Sequence, residues 1–375
     1  MDIYFNRPAL TGNEKEYVAK SMKGGRIAGD GDYTKKCSTI IEDLSNSYKC
    51  LLTHSCTSAL EISAILSNLR PGDEVIAPSY TFVSTVNAFV LFGAKVVFID
   101  ICEDTQNMDV SLIEQAITPK TKVIIPVHYA GVACEMDQLL DIARRYNLLV
   151  VEDAAQGIMS YYNGRMLGSI GDIGTYSFHE TKNIISGEGG ALLINNETFC
   201  ERAEIVREKG TDRSKFFRGQ VDKYTWQDVG SSYLPGELIA AFLFAQLERA
   251  KEITQDRVES WNRYYRMSSL LEEKGDVRRP IVPKYCQHNG HMFYLILNEG
   301  IDRGKVLNRM REKGVQATFH YVPLHSAPAG LKYGRLGSGM EKTERTAKSL
   351  IRLPLYFGLS NEDQDRIVSC LQESL

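Results

Sequence analysis

The fold is decided by the stretch LLVVEDAAQG at residues 148–157, an apolar run that ends in two carboxylates. Three earlier runs, at 75–77, 95–100 and 122–127, have the same β-branched and apolar character. Because all four are apolar throughout instead of alternating, we expect strands that are buried on both faces of a sheet. Such strands, separated by helices, indicate an α/β fold with a parallel sheet and crossover helices.

Helical segments separate these strands, and further strands follow them. Apolar residues recur at helical spacing over 111–117 and 136–146. Two later strands are expected at 174–178 and 191–194. The sequence therefore predicts one continuous sheet that is built between about residues 50 and 200.

The pattern changes near residue 250. A long charged helix is expected through 261–274, followed by a strand at 292–297. Because 375 residues exceed one small domain, we predict a large domain over 1–250 and a smaller C-terminal α/β domain over 251–375. The segment 206–233, rich in charge, glycine and aromatics, is predicted to be a long excursion from the sheet, and such loops often carry function.

Composition and charge exclude several classes of function. The net charge of −3 provides no broad positive field for a nucleic-acid backbone. No window approaches the roughly 18 to 20 apolar residues that span a bilayer, and the first residues lack the pattern of a signal peptide. Eight cysteines are scattered singly, without metal-ligand or redox spacing. We expect a cytoplasmic protein with free thiols, no metal site, and no nucleic-acid or membrane partner.

The run SCTSAL at residues 55–60 opens an apolar helix with small hydroxyl residues. A helix start presents unpaired N–H groups and the positive end of the helix dipole, so it can hold an anion such as phosphate. Plain N-capping by serine or threonine explains the same residues, and taken alone it is the commoner reason for them.

Two further candidates lie where predicted strands end. Asp153 closes an apolar run, with Gln156 three residues on, and ligands of open parallel sheets bind at the carboxyl ends of strands. An acid that caps the next turn is the alternative. Lys182 follows the strand at 174–178 and precedes a glycine-rich turn, where its amine can be desolvated and lose its proton. Most lysines are solvated surface charges, so it is the combination of the three elements that favours a catalytic amine.

With these elements, the chain resembles the DegT-type sugar-nucleotide aminotransferases, which have the aspartate-aminotransferase fold (fold type I) and use pyridoxal 5′-phosphate (PLP). The resemblance runs from the glycine-rich loop at 29–31 to the segments YVPLH (321–325) and RLPL (352–355). It implies that Lys182 is the Schiff-base lysine. It also implies that Asp153 pairs with the ring nitrogen and keeps it protonated, which strengthens the ring as an electron sink.

The resemblance implies further cofactor contacts. The backbone at Cys56 and Thr57, with the Ser177 side chain, would hold the phosphate. Phe82 would stack on the pyridine ring, or else be a core aromatic, and Gln156 would cover or hydrogen-bond the ring.

Two positions depart from the family pattern. Ser232 stands where the family usually has an asparagine that reaches the phosphate of the neighbouring subunit, and a serine could donate the same hydrogen bond over a shorter reach. Cys56 replaces a common glycine but still offers a backbone N–H. Neither change affects the lysine.

Four residues are candidates for contact with the substrate. His325 matches a histidine that the family places near the substrate, and His179 lies three residues before the lysine, although structural histidines are as common. Gly29 belongs to a loop that no strand precedes, so it is not part of a dinucleotide fingerprint and is expected near the sugar nucleotide. Tyr321 opens the YVPLH segment.

The segments 126–137 and 217–226 are similar to those of family members that form dTDP-4-amino-4,6-dideoxy-D-galactose. We therefore expect transfer of an amino group from L-glutamate to C4 of dTDP-4-keto-6-deoxy-D-glucose. The product would serve a cell-surface polysaccharide, such as lipopolysaccharide or enterobacterial common antigen. The resemblance also implies a homodimer with shared active sites.

Other functions stay open at this point. Amination at C3, or formation of the gluco epimer, could use the same residues. A nicotinamide-dependent sugar oxidoreductase suits alternating strands and helices, although a strand-coupled Gly-x-Gly-x-x-Gly is missing from the sequence. A PLP-dependent sugar dehydratase would have histidine in place of Lys182, and a regulator with a PLP fold would require a basic DNA-binding module.

Overall fold

The computed structural model describes residues 2–375 and confirms the α/β fold. Strands β1 to β14 span, in order, Lys49–Thr53, Glu74–Pro78, Lys95–Ile99, Thr121–Ile124, Leu149–Asp153, Tyr161–Tyr162, Arg165–Met166, Ile173–Ser177, Gly190–Ile194, Val277–Arg278, Cys286–Gln287, Phe293–Leu297, Gly334–Leu336 and Leu350–Leu353. Helices α1 to α15 span, in order, Glu14–Lys23, Asp32–Ser45, Cys56–Leu66, Ser84–Val90, Ile113–Ala116, Met136–Tyr146, Cys200–Arg207, Arg213–Phe217, Glu237–Glu248, Ala250–Met267, Ser269–Glu273, Arg303–Glu312, Pro328–Tyr333, Glu341–Ser349 and Asn361–Gln372.

The central sheet has eight strands in the order β1-β9-β8-β5-β4-β2-β3-β13. The direction of β9 is opposite to that of the other seven strands. Helices α2, α6 and α9 contribute buried residues to the core on one face, and α3, α4 and α7 to the core on the other. The predicted strands are confirmed, because runs that are apolar throughout are covered on both faces.

Two helical predictions differ from the structure. The helix expected at 111–117 is a 3₁₀ turn at Val110–Leu112 that continues into the short α5. The single charged helix expected through 261–274 is broken between α10 and α11 at Ser268. The Ser268 hydroxyl donates to the carbonyl of Tyr264 at 2.7 Å, a local hydrogen bond that competes with helix continuation.

A second sheet, in the order β10-β12-β14, surrounds a separate core in the C-terminal part of the chain. The junction of α9 and α10 lies at the predicted boundary near residue 250, which stays a prediction. Several contacts cross that boundary, among them the pairing of β11 with β6. Ile3 pairs with Val315 and packs in the C-terminal core, and β13 joins the edge of the central sheet beside β3.

Among residues 2–375, none of the helices is both long and apolar enough to cross a membrane.

Glu152 ties the central sheet to the loop that precedes β8. Its buried carboxylate accepts hydrogen bonds from the backbone N–H groups of Gly168 (2.9 Å), Ile170 (2.6 Å) and Gly171 (2.6 Å), and from Nε2 of the buried His128 (2.8 Å). Burial acts to raise the pKa of Glu152, but the hydrogen bond and charge of His128 and the backbone donors lower it overall. These hydrogen bonds therefore fix the end of β5 to the loop that precedes β8.

We expect Glu152→Gln to lower the free energy of unfolding by about 3 kcal/mol, because the donors lose a buried charged acceptor. Urea denaturation at neutral pH measures this change. Since the folded-state pKa is lowered, the contribution is present above the ordinary pKa of 4.5 and is lost as the pH falls below that value.

The matched control is Glu114→Gln, which breaks an exposed ion pair with Arg145. It should leave the free energy of unfolding nearly unchanged, because solvent screens an exposed pair. Equal effects of the two substitutions would contradict the prediction.

Candidate active site

A cavity of about 520 Å³ lies at the carboxyl ends of the central strands, where ligands bind in open α/β sheets. Residues that follow or end β1, β2, β4, β5 and β8 line one side, and the C-terminal part of the chain closes the other. Nine of the twelve predicted site residues line this cavity: Cys56, Thr57, Phe82, Asp153, Gln156, Ser177, His179, Lys182 and Tyr321.

The start of α3 forms one end of the cavity. Ser55 caps this helix, with its hydroxyl oxygen accepting from the N–H of Ser58 at 3.1 Å. The N–H groups of Cys56 and Thr57 belong to the first helical turn, which leaves them without intrahelical acceptors. A Cβ at Gly190 would lie 2.4 Å from the amide nitrogen of Cys56, so only glycine permits this approach of β9 to the helix.

Asp153 lies at the end of β5 with both carboxylate oxygens bonded. Oδ2 accepts from the Thr85 hydroxyl at 2.6 Å, and Oδ1 accepts from the N–H of Ala155 at 3.1 Å. Thr85 is itself bonded to the Thr81 hydroxyl at 2.8 Å, and both threonines are buried. These donors orient the carboxylate and stabilise its charged form.

Lys182 lies on a turn that follows β8. Its backbone N–H donates to the carbonyl of His179 at 2.9 Å. Burial lowers the pKa of the Lys182 amine, and the positive charge of Arg352 lowers it further, while Cys56 and Asp153 act in the opposite direction. The net shift is downward, which increases the uncharged fraction of the amine. An uncharged amine is the form that attacks an aldehyde.

Burial also changes the thiol at the start of α3. It raises the pKa of Cys56 to about 12, with Asp153 raising it further and Thr175 and Lys182 lowering it. The thiol therefore stays protonated at neutral pH.

Phe82 and Gln156 line the cavity in different ways. The ring of Phe82 is 58% exposed, which is unusual for a phenylalanine and leaves a face open towards the cavity. Gln156 is buried, with Oε1 accepting from the N–H of Ala130 at 2.7 Å and Nε2 donating to the Tyr321 hydroxyl at 3.0 Å. Gln156 thereby connects the central sheet to the C-terminal part of the chain.

Three predicted site residues lie outside the cavity of this chain. Gly29 packs against Leu234 and Pro235, and a Cβ there would lie 2.4 Å from the Pro235 carbonyl oxygen. Ser232 is exposed and pairs with Glu208.

His325 is the third of these residues. The imidazole is buried, with Nδ1 bonded to the Ser79 hydroxyl at 2.7 Å and Nε2 lying 3.5 Å from Glu344. Protein partners thus lie at both ring nitrogens, and the contact of His325 with the substrate stays a prediction. His179 does line the cavity, and its Nδ1 is bonded to the Thr181 hydroxyl at 2.9 Å.

Several cavity residues were not predicted. His291, His320 and Arg352 line the cavity from the C-terminal part of the chain, and Thr85 lies behind Asp153. Arg352 belongs to one of the segments that carried the family resemblance, but no pattern in that segment places its side chain in the site. A threonine on a helix is equally uninformative by itself.

The cavity fits a bound PLP. The phosphate requires an anion site, which the first turn of α3 and the Ser177 hydroxyl can provide. The ring requires an acceptor for its N–H and an aromatic surface, as Asp153 and Phe82 offer, and the aldehyde requires an amine that loses its proton readily, as Lys182 with its lowered pKa offers. The cavity volume lies within the range of roughly 300 to 1,000 Å³ that is usual for cofactor sites. The fold and the cavity together define a PLP-dependent enzyme of fold type I.

Residues 8–372 match the DegT/DnrJ/EryC1/StrS aminotransferase family, and the chain belongs to that family. GDP-perosamine synthase of Caulobacter vibrioides is 32% identical over 98% of this chain and 97% of its own length. UDP-4-amino-4-deoxy-L-arabinose–oxoglutarate aminotransferase of Shewanella sediminis is 30% identical over 98% of this chain and 96% of its own length.

Solved structures agree with this placement. A Streptococcus pneumoniae protein assigned as a sugar aminotransferase, in its PMP form, has a TM-score of 0.91 and 26% identity over 100% of this chain and 99% of that chain. DesV of S. venezuelae, in complex with a ketimine intermediate, has a TM-score of 0.89 and 25% identity over 99% of this chain and 98% of that chain. The protein is therefore a PLP-dependent sugar aminotransferase that acts on nucleotide sugars, which excludes the nicotinamide-dependent oxidoreductase.

We expect Lys182→Ala to abolish covalent trapping of PLP by borohydride, because borohydride reduces an imine and Lys182 is the only lysine among the residues that line the cavity. Mass spectrometry of the reduced protein measures the trapped cofactor. The matched control is Lys251→Ala on the exposed face of α10, which should trap PLP as wild type does. Undiminished trapping in Lys182→Ala would show that another lysine bonds the cofactor.

Proposed function

We propose that Lys182 and Asp153 perform amino transfer in this cavity, from L-glutamate to C4 of a nucleotide-linked keto-sugar. The observation that carries the proposal is an amine with a lowered pKa and a doubly hydrogen-bonded carboxylate on the walls of one cavity. PLP, when bound, supplies an aldehyde that holds the transferred nitrogen and a ring that accepts electrons.

Lys182 acts as the base that moves a proton between the substrate carbon and the cofactor. A general base works best when its pKa lies near the working pH, and burial shifts this amine in that direction. Asp153 holds the ring nitrogen in its protonated form, because Thr85 and Ala155 keep the carboxylate oriented as a charged acceptor.

The remaining contacts position the cofactor. Cys56 and Thr57 donate backbone N–H groups to the phosphate, Ser177 adds its hydroxyl, and Phe82 stacks on the ring. Gln156 covers the ring while it stays bonded to Tyr321. His179 and Tyr321 contact the substrate from the cavity wall.

The substrate is dTDP-4-keto-6-deoxy-D-glucose, and the product is dTDP-4-amino-4,6-dideoxy-D-galactose, which serves a cell-surface polysaccharide. The enzyme acts in the cytoplasm. The resemblance at segments 126–137 and 217–226 supports the nucleotide and the sugar. A relative that is named for a UDP-4-amino sugar and oxoglutarate supports position C4 and glutamate as the donor. The named relatives use GDP and UDP sugars, so the nucleotide is the part that most needs a test.

A homodimer completes the site. The segment 206–233 carries exposed apolar side chains, among them Phe217 (62%), Val229 (57%) and Trp226 (82%). Such a surface is typical of a protein interface. Ser232 lies at the end of this segment and would donate its hydroxyl to the cofactor phosphate of the partner subunit.

We expect the PLP-loaded protein to aminate dTDP-4-keto-6-deoxy-D-glucose with L-glutamate, and NMR to assign the axial amine of the galacto product. GDP- and UDP-linked 4-keto sugars, tested in parallel, should react at least about tenfold more slowly, since one lost polar contact costs roughly that much. A gluco epimer, an amine at C3 or a faster reaction with another nucleotide would reject the proposed substrate and leave the class intact.

We expect Trp226→Arg to convert the dimer to monomers in sedimentation velocity, because a charge would be buried in the interface core. The matched control is Leu331→Arg, which lies outside 206–233 at a residue that is 73% exposed and should leave the dimer unchanged. A wild-type protein that is a fully active monomer would contradict the shared site.

A further inference from the structure

His291 lines the cavity with a ring nitrogen that has no protein partner. The residue precedes β12, and its side chain is buried. Nδ1 of the imidazole lies 2.9 Å from Oδ1 of Asn183, the residue that follows Lys182. None of the hydrogen bonds among residues 2–375 involves Nε2 of His291. Because buried polar groups are normally hydrogen-bonded, this nitrogen calls for an explanation.

The other buried histidines of the described chain have protein partners at both ring nitrogens. His128 bonds a carboxylate through Nε2 at 2.8 Å, and its Nδ1 accepts from a backbone N–H at 3.2 Å. His325 bonds a hydroxyl through Nδ1 at 2.7 Å, and a carboxylate lies 3.5 Å from its Nε2. Within residues 2–375, His291 is therefore the buried histidine whose second nitrogen is left for a ligand.

The neighbours of His291 fix which of its nitrogens carries the proton. Nδ2 of Asn183 donates to the carbonyl of Asn289 at 2.9 Å, so the amide turns its oxygen towards the imidazole. An amide oxygen only accepts, and Nδ1 of His291 is therefore the protonated nitrogen. Burial lowers the pKa of His291 well below its usual value, and the positive charge of Lys182 lowers it further. The ring stays neutral, and Nε2 offers its lone pair as a hydrogen-bond acceptor.

Few ligands of this cavity bring a hydrogen-bond donor for Nε2. The phosphate and the ionised ring oxygen of PLP are acceptors, and the ring N–H is directed at Asp153 in the proposed function. The carboxylates of an amino acid only accept, and its amino group is the nitrogen that is transferred. A keto-sugar, in contrast, carries hydroxyl groups, each of which can donate one hydrogen bond. The unpaired acceptor therefore matches the sugar.

The position of His291 indicates which hydroxyl donates. The charge of Lys182 acts on the imidazole, and the residue next to Lys182 bonds its Nδ1. His291 therefore lies near the place where the nitrogen is transferred. In a 4-keto-6-deoxy sugar, the C3 hydroxyl is attached to the carbon adjacent to the keto group. The C2 hydroxyl lies one carbon further away, and C6 carries none.

We propose that Nε2 of His291 accepts a hydrogen bond from the sugar hydroxyl adjacent to the keto carbon, an inference that rests on the proposed function. His291 then determines specificity, since a sugar without this hydroxyl leaves a buried acceptor unbonded. Asn289 positions the ring. Its Oδ1 accepts from the backbone N–H of His291 at 3.0 Å, and its Nδ2 donates to the carbonyl of Gln156 at 2.9 Å.

The test compares kcat/KM for dTDP-4-keto-6-deoxy-D-glucose and for its 3-deoxy analogue, with L-glutamate as the donor. Wild type should prefer the 3-hydroxy sugar at least about tenfold, because the analogue leaves Nε2 unbonded. His291→Asn keeps an N–H near the position of Nδ1 and has no atom at that of Nε2, so the preference should fall to about threefold or less. His291→Gln brings an amide oxygen near the position of Nε2 and should keep most of the preference.

The matched control is the same substitution three residues away, His288→Asn. His288 packs on Trp261 with ring centres 4.4 Å apart and is not among the residues that line the cavity, so the sugar preference should be that of wild type. The donor half-reaction is measured separately, as the spectral change when L-glutamate is added to the PLP-loaded protein. It should be unchanged in His291→Asn, whereas a merely structural role of the imidazole would slow both half-reactions.

An undiminished sugar preference in His291→Asn would overturn the proposal. So would a donor half-reaction slowed by the same factor as the sugar half-reaction, because Nε2 would then serve the amine of Lys182. If His291→Asn does not fold, wild type decides, and equal use of the two sugars by wild type overturns the proposal. Failure of the proposed function is seen separately, as a wild-type protein that aminates neither sugar.

Discussion

A carboxylate that accepts hydrogen bonds and an amine whose pKa is lowered have to coexist in one cavity. Burial favours the neutral form of the Lys182 amine. The hydroxyl of Thr85 and the N–H of Ala155 orient the carboxylate of Asp153. For Lys182, burial outweighs the attraction of Asp153, and the pKa of the amine is lowered overall. The surrounding structure therefore has to hold Asp153 and Lys182 in place although the two side chains attract each other.

The sheet provides the required rigidity. Asp153 ends a strand that is covered on both faces, and Glu152, one residue earlier, binds the loop before β8 with its carboxylate. Lys182 follows β8, the next strand in the sheet. The carboxylate is thus carried by the end of one strand, and the amine by the turn that follows the neighbouring strand.

Local patterns predicted the strands and the three elements at their ends, because apolar runs, helix starts and strand-end polar residues are visible in a single sequence. Thr85 and Arg352 could not be found in this way, since their roles depend on which elements meet in space. Phe82 was indicated only through the family resemblance. The hydrogen bond of the His325 imidazole to the Ser79 hydroxyl could not be predicted for a related reason, because no sequence pattern reports the direction of a side chain. The pairing of Ile3 with Val315 is equally non-local.

The thiol of Cys56 lies in a cavity that is built to receive an aldehyde, beside the amine that has to react with it. Thiols and amines both add to aldehydes, and in each case the deprotonated group is the nucleophile. With the pKa of Cys56 raised to about 12 and that of Lys182 lowered, deprotonation at neutral pH favours nitrogen over sulfur. A cysteine can therefore occupy the first turn of α3 without its thiol competing with the amine, and burial is the largest cause of both pKa shifts.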